Sequence, residues 1–144
     1  MNPLLFVLPR SRMLPVGVLV VDQLANVRDT LRKLVQSYPG WQVCAEVEDQ
    51  IDIVDAVEHW HPKLLLIDVS EPVLNALETI RQIAEQHPEV RILATSVYVT
   101  AESAQQVRAA GGHGIIEKVD LTKEFDHVVQ AFREGRTFFP MLAE

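Results

Sequence analysis

Apolar and polar positions follow two alternating patterns along the chain. Five short apolar runs, several rich in β-branched residues, are too short for helices and are predicted to be strands. They span residues 16–21, 41–47, 64–67, 91–95 and 114–117. Between and after them, apolar side chains recur at helical spacing, which predicts one amphipathic helix per stretch. The helices are predicted over residues 24–36, 51–60, 74–86, 101–110 and 121–132.

A strand followed by a helix, repeated in this way, is typical of a parallel sheet with helices on both faces. We therefore predict an α/β fold with a single doubly wound five-stranded parallel sheet, a flavodoxin-like (βα)5 arrangement with strand order 2-1-3-4-5. One domain should cover residues 16–140. Residues 1–15 are predicted to be an N-terminal extension, and residues 141–144 a C-terminal tail or the start of a linker. The functional crevice of such a fold lies at the carboxyl ends of strands 1 and 3.

Composition narrows the class of protein. The 144 residues fit one domain, and a hydrophobic fraction of 48% is enough for a sizeable core. A net charge of -7 argues against direct nucleic-acid binding by this chain. Cys44 is the only cysteine, which excludes an intramolecular disulfide, and no apolar run is long enough to span a membrane. These features predict a cytoplasmic protein with no membrane contact.

Polar residues follow the predicted strands at their carboxyl ends. Asp22 and Gln23 follow strand 1, Asp68 follows strand 3, Ser96 follows strand 4, and Lys118 follows strand 5. Such a set suits phosphoryl chemistry: an aspartate can attack the group, and Mg²⁺ held by oxygen ligands can neutralise its charge. A lysine and a hydroxyl supply further contacts to the phosphoryl oxygens. No glycine-rich dinucleotide motif or phosphate-binding loop is present.

Several local strings resemble the receiver domain of two-component response regulators, the CheY-like family, and its NarL/LuxR-type branch in particular. They are VLVVDQLANVRDTLRKLV, LLLIDVSEP, RAAGGHGIIEKVD and AFREGRTFFP, within residues 16–140. The resemblance implies that Asp68 is the phosphoacceptor and that Ser96 and Lys118 contact the phosphoryl group. It implies a Mg²⁺ site formed by Asp22, Asp68 and the backbone carbonyl of Ser70.

The resemblance also implies partners and an output. A sensor histidine kinase would phosphorylate the domain, which would then switch a protein–protein interface and form a homodimer. The chain itself would not be an enzyme beyond accepting its own phosphoryl group. A helix-turn-helix output domain is implied for a longer parent protein, and no recognition helix lies within these residues.

The chain departs from the family pattern at several positions. Gln23 stands where a second acidic Mg²⁺ ligand is usual, so metal binding should be weakened by the lost charge. Ile115 stands where an aromatic switch residue is common, which predicts a smaller or altered conformational switch. Pro72 matches the family, but Val73 and Ala76 replace common glycines, which predicts a differently shaped loop after Asp68.

Three functions fit these observations. The first is a phosphorylatable receiver; the second is a degenerate pseudo-receiver acting as a phosphorylation-independent dimerisation or interaction module. The third is a small flavodoxin-like enzyme or nucleotide binder, which the missing glycine motifs disfavour. On the first helix, Arg28, Arg32 and Lys33 form either a solvated face or a docking patch. The five histidines are irregularly spaced and are predicted to have surface or loop roles.

Overall fold

The five predicted strands form one parallel sheet. The computed structural model describes residues 15–48, 53–70 and 75–142. The sheet order is β2-β1-β3-β4-β5, so the predicted fold class and strand order are confirmed. The strands are β1 (Val16–Val21), β2 (Trp41–Val47), β3 (Leu64–Asp68), β4 (Arg91–Ser96) and β5 (Gly114–Glu117).

Five helices connect and follow the strands. They are α1 (Ala25–Gln36), α2 (Ile53–Trp60), α3 (Ala76–Gln86), α4 (Ala101–Ala110) and α5 (Leu121–Arg133). Where the structure describes them, the predicted bounds agree to within two residues, and a short 3₁₀ turn at Lys118–Asp120 was not predicted. Several predicted features lie outside the described residues. They are the extension up to residue 14, the first residues of two predicted helices, Pro72 and Val73. No described helix has the length and apolar character needed to cross a membrane.

Alternation along the central strands divides the core into two layers. Val18 and Val20 of β1 face α1 and α5, whereas Leu19 and Val21 face α2 and α3. Strand β3 is buried along its whole length, as expected for a strand covered on both faces. Phe125 of α5 is 1% exposed at the centre of the first layer. Two-sided burial of these strands holds their carboxyl ends, and hence the site, in fixed register.

Helix α4 has well-defined ends. At its start, Thr100 and Ser103 form a capping box, in which the Thr100 hydroxyl accepts a hydrogen bond from the Ser103 amide at 3.0 Å. At its end, Gly111 adopts a φ of 104°, which favours glycine. A Cβ on Gly111 would lie 2.6 Å from the Cβ of Ala84 in α3. The C-terminal end of α4 is therefore pressed directly against α3.

The chain continues beyond α5 as a segment that we call the C-terminal strap, residues 136–142. Phe138 forms a parallel bridge with Gly114 at the edge of the sheet. The Phe138 carbonyl accepts from the Ile115 amide at 3.0 Å, and the Phe138 amide donates to the His113 carbonyl at 2.8 Å. Nothing in the hydrophobic pattern predicted this added strand-like pairing.

His113 has a structural role in the turn before β5. Its Nδ1 accepts a hydrogen bond from the amide of Ile92 at 2.9 Å, and the ring is half-buried. Burial, together with the nearby positive charge of Arg91, lowers the pKa of His113 below its ordinary value. The folded chain therefore favours the neutral imidazole that this hydrogen bond requires.

The lowered pKa of His113 predicts a loss of stability in mild acid. Below about pH 6.5, the unfolded chain binds a proton at this residue that the folded chain resists, so the free energy of unfolding falls as pH decreases. His113→Gln should flatten the fall in urea midpoint between pH 7.5 and pH 5.5. His127→Gln is the matched control because that side chain is 70% exposed. Equal slopes in wild type and His113→Gln would contradict this assignment.

Candidate functional site

Two buried carboxylates and one ammonium group meet at the carboxyl edge of the sheet. The Nζ of Lys118 lies 2.8 Å from Oδ2 of Asp22 and 3.4 Å from Oδ2 of Asp68. Asp22 is 1% exposed and Asp68 is 5% exposed. Both aspartates are carried by strands buried on both sides, and Lys118 directly follows β5. The structure therefore brings together three of the residues singled out in the sequence.

The two oxygens of Asp22 have different environments. Oδ1 accepts a hydrogen bond from the amide of Leu24 at 2.9 Å, which fixes the carboxylate over the turn into α1. Oδ2 is buried and accepts no hydrogen bond from the described residues other than its ion-pair contact with Lys118. A buried carboxylate oxygen with a single cationic neighbour is suited to bind a second cation.

Asp68 is oriented by Ser70. Oδ1 of Asp68 accepts from the Ser70 amide at 2.8 Å and from the Ser70 hydroxyl at 2.6 Å, while Oδ2 faces Lys118. The same hydroxyl accepts a hydrogen bond from the Val97 amide at 2.9 Å. The side chain of Ser70 thus connects the carboxylate to the loop after β4. The family resemblance implies a role only for the Ser70 backbone carbonyl, although a serine two residues after an aspartate often makes this local bond.

Ser96 lies at the end of β4 and is 6% exposed. Its hydroxyl donates to the carbonyl of Tyr98 at 3.1 Å. Further along the loop, the Val99 amide donates to Oε2 of Glu117 at 2.8 Å. Ile115, at the position where an aromatic residue was expected, is 1% exposed and lies in the core. In this conformation, Ser96 is bonded within its own loop.

The prediction of a solvated face is wrong for Arg28, whose side chain is 14% exposed. Its Nη1 donates to the carbonyls of Asp22 at 2.7 Å and Gln23 at 3.2 Å. Its guanidinium also pairs with Glu46 at 3.5 Å and Glu48 at 3.6 Å. Arg28 therefore joins the β1–α1 turn to β2, and this role was missed because the helical pattern alone cannot show which polar face meets a neighbouring strand.

The site carries the donor types that Mg²⁺ prefers. Asp22 and Asp68 supply buried carboxylate oxygens, and Gln23, which directly follows Asp22, is exposed and carries a neutral amide oxygen. The buried Oδ2 of Asp22, which has no hydrogen-bond partner among the described residues beyond its ion-pair contact with Lys118, fits such a cation. Within residues 15–48, 53–70 and 75–142, no three acidic, histidine or cysteine side chains cluster as a metal site. In the part of the chain that the structure describes, Asp22 and Asp68 are the carboxylates placed at this site.

Comparisons with known proteins give the family. Residues 18–130 match the family model described as the response regulator receiver domain. The transcriptional regulatory protein DegU of Brevibacillus brevis is 24% identical over 72% of this chain and 44% of its own length. A protein-glutamate methylesterase/protein-glutamine glutaminase of Geobacter metallireducens is 33% identical over 85% of this chain and 35% of its own length. The chain spans less than half of each relative.

Solved structures show the same fold. A LuxR-family response regulator from Aurantimonas superposes with a TM-score of 0.79 at 24% identity, covering 86% of this chain and 89% of that one. The isolated receiver domain of RcsB from Salmonella enterica, solved in the presence of a phosphomimetic, superposes with a TM-score of 0.78 at 19% identity. The match covers 88% of this chain and 94% of that one. The chain belongs to the response regulator receiver domain family, as its sequence predicted. Receiver domains of this family act in two-component systems and typically bind Mg²⁺ in an acidic pocket.

Proposed function

We propose that this receiver domain accepts a phosphoryl group on Oδ2 of Asp68 from a phosphohistidine of a sensor histidine kinase. The observation that supports this most is the pairing of one ammonium group with both buried carboxylates, Lys118 with Asp22 and Asp68. Both Ser70 hydrogen bonds are received by Oδ1 of Asp68, so Oδ2 is the oxygen left to act as nucleophile.

The proposed transfer is a single displacement at phosphorus. Oδ2 of Asp68 forms the new O–P bond as the P–N bond of the donor breaks, and the imidazole nitrogen leaves with the electron pair. Lys118 is placed to neutralise charge on the phosphoryl oxygens, because it already lies 3.4 Å from Asp68 Oδ2. Ser96 would exchange its bond to the Tyr98 carbonyl for one to a phosphoryl oxygen.

Mg²⁺ would be held by Asp22, Asp68 and the Ser70 carbonyl, with Gln23 as a neutral neighbour, and would supply charge neutralisation at the phosphoryl oxygens. Asp22 would have to share its Oδ2 between this ion and Lys118. We therefore infer weaker metal binding than a site with three carboxylates would give, because fewer anionic ligands offset the dehydration of the ion.

Intact-mass spectrometry after incubation with acetyl phosphate and Mg²⁺ tests this function. We expect a phosphoryl adduct on the wild-type protein and none on Asp68→Asn, because only the carboxylate can form the acyl phosphate. Asp55→Asn, which removes a carboxylate from α2 instead, is the matched control and should still form the adduct. Absence of an adduct on wild type at high Mg²⁺ would contradict the proposal.

A degenerate receiver that acts only by binding partners is the second candidate. It is favoured by the exposed, neutral Gln23 at the position of a usual acid. In that case, homodimerisation measured by sedimentation should be identical for wild type and Asp68→Asn, with or without phosphodonor. A phosphodonor-dependent change in wild type alone would exclude it. We assign no nucleic-acid contact to this acidic chain in either case.

A further inference from the structure

The C-terminal strap places an aromatic ring in the groove between α4 and β5. Phe139 is 4% exposed and packs in one apolar cluster with Ile115 of β5 and Val99 of the loop before α4. Ala104 and Val107 of α4 belong to the same cluster. Ile115 lacks the aromatic ring expected at its position, and the Phe139 ring packs in the cluster that contains it.

The apolar cluster into which Phe139 packs, which we call the seat of Phe139, is connected to the site through the loop after β4. Val99 contributes to the cluster that contains Phe139, and its amide is held by Glu117 at 2.8 Å. Three residues earlier, Ser96 donates to the carbonyl of Tyr98 at 3.1 Å. A movement of Ser96 towards Asp68 therefore displaces the same loop that forms one wall of the seat.

The strap is held at both ends of its buried part: Arg91 Nη2 donates to the Arg136 carbonyl at 2.6 Å, and the Arg108 guanidinium lies 5.1 Å from the centre of the Phe139 ring. Two backbone hydrogen bonds of Phe138, to Ile115 and His113, attach it to the sheet edge. A cleft of about 280 Å³ lies beside it, lined by Val99, Glu117 and Met141 among others. A segment bonded at the sheet edge and flanked by a cleft is expected to open at a lower free energy than the central strands, which are buried on both faces.

Gly114 shows how closely the strap approaches the sheet. A Cβ at this position would lie 2.7 Å from the Phe138 carbonyl oxygen and 2.9 Å from Cδ1 of Leu93. The backbone of the strap therefore requires a glycine opposite it. We expect Gly114→Ala to push the strap outward from the sheet and to shift the Leu93 side chain, whereas none of the three nearest atoms belongs to Asp22, Asp68 or Lys118.

We propose that the C-terminal strap is a displaceable cover of the α4–β5 groove, coupled through Val99 to the Ser96 loop. When Phe139 is seated, the loop is held with Ser96 bonded to Tyr98. When Ser96 moves towards Asp68, the seat is distorted and the strap is released, which uncovers the groove. Release by phosphorylation rests on the proposed function, but the coupling between strap and loop does not.

Hydrogen exchange of four backbone amides measures the coupling without any phosphodonor. The Ile115 and Phe138 amides report the seated strap, and the Val97 and Val99 amides report the loop. In Phe139→Ala we expect all four to exchange about tenfold faster, because coupling between two sites is reciprocal. Met141→Ala, which truncates a strap side chain that is 50% exposed, should leave all four unchanged.

Two further variants distinguish loss of the strap contact from a general loss of stability. Phe139→Leu keeps an apolar side chain in the seat and should restore slow exchange at Val97 and Val99. If Phe139→Ala accelerates exchange at buried β3 amides as well, Gly114→Ala provides the same measurement with the aromatic ring retained. Faster exchange at Ile115 and Phe138 with no change at Val97 and Val99 would overturn the coupling.

Beryllofluoride with Mg²⁺ tests the direction from site to strap. We expect faster exchange at Phe138 and Ile115 in wild type, and no change in Asp68→Asn. Chemical shift changes at Val97 without any change at the strap amides would overturn the proposed release. Failure of beryllofluoride to shift any resonance near Asp68 would count against phosphorylation, and the variant comparison would then decide the coupling by itself.

Discussion

Lys118→Met is expected to reduce the rate of phosphoryl adduct formation by about 100-fold, since removal of one charge-stabilising donor commonly costs this much. Lys118 is the cation that lies closest to both carboxylates, at 2.8 Å from Asp22 and 3.4 Å from Asp68. The measurement is the initial rate of adduct formation with acetyl phosphate at saturating Mg²⁺, followed by intact mass.

The same variant should also be less stable without Mg²⁺. The Lys118 side chain is 14% exposed, and its removal takes from two buried carboxylates the one ammonium group that pairs with both of them among the described residues. Breaking a buried ion pair in this way lowers the free energy of unfolding by about 3 kcal/mol. Added Mg²⁺ should restore part of the loss, as measured by urea unfolding with and without the ion.

Lys123→Met is the matched control, because Lys123 is an exposed residue of α5 and its loss makes the same change in net charge. It should change neither the rate nor the stability appreciably. A Lys118→Met protein that is phosphorylated at the wild-type rate would show that this ammonium group does not contact the transferring phosphoryl group.

Gln23→Glu should raise the affinity for Mg²⁺ by about tenfold and accelerate adduct formation at limiting Mg²⁺. The two side chains have the same shape, so the change is an added negative charge at the rim of the Asp22–Asp68 pocket. Because Gln23 is exposed, solvent screens that charge. We therefore expect the free energy of Mg²⁺ binding to improve by about 1.4 kcal/mol, which is less than a buried charged contact would give.

Isothermal titration calorimetry with MgCl₂ measures this affinity directly. Gln42→Glu is the control, since Gln42 is exposed on β2 and pairs with Gly17 towards the amino end of β1. It adds the same charge away from the site and should leave Mg²⁺ binding unchanged. Equal affinities for Gln23→Glu and wild type would mean that position 23 does not face the ion.

The fold could be predicted from hydrophobic periodicity because the apolar pattern of each helix or strand shows which of its faces is buried. The continuous apolar run at 64–67 predicted a strand covered on both faces, and β3 is buried throughout. The parallel arrangement brings the ends of β1, β3 and β5 to one edge of the sheet, which is why the sequence alone predicts that Asp22, Asp68 and Lys118 lie together.

Contacts made by side chains across elements could not be predicted in this way. Arg28 occupies a polar helical position like its neighbour Arg32, and only the packing of α1 against β2 shows that it reaches the carbonyls of Asp22 and Gln23. The strap was missed for a related reason. Phe138 and Phe139 follow Gly135, where the helical pattern ends, and two adjacent aromatic residues have no period that distinguishes a strand from a loop.

The close contact between Gly111 and Ala84 has a mechanical consequence. Because a single methyl group at Gly111 would collide with α3, the C-terminal end of α4 has no room to move inward. Its other end begins at the Thr100 capping box, directly after the loop that carries Ser96. We therefore expect a shift of this loop to move the N-terminal end of α4 more than its C-terminal end, which would tilt the helix rather than translate it.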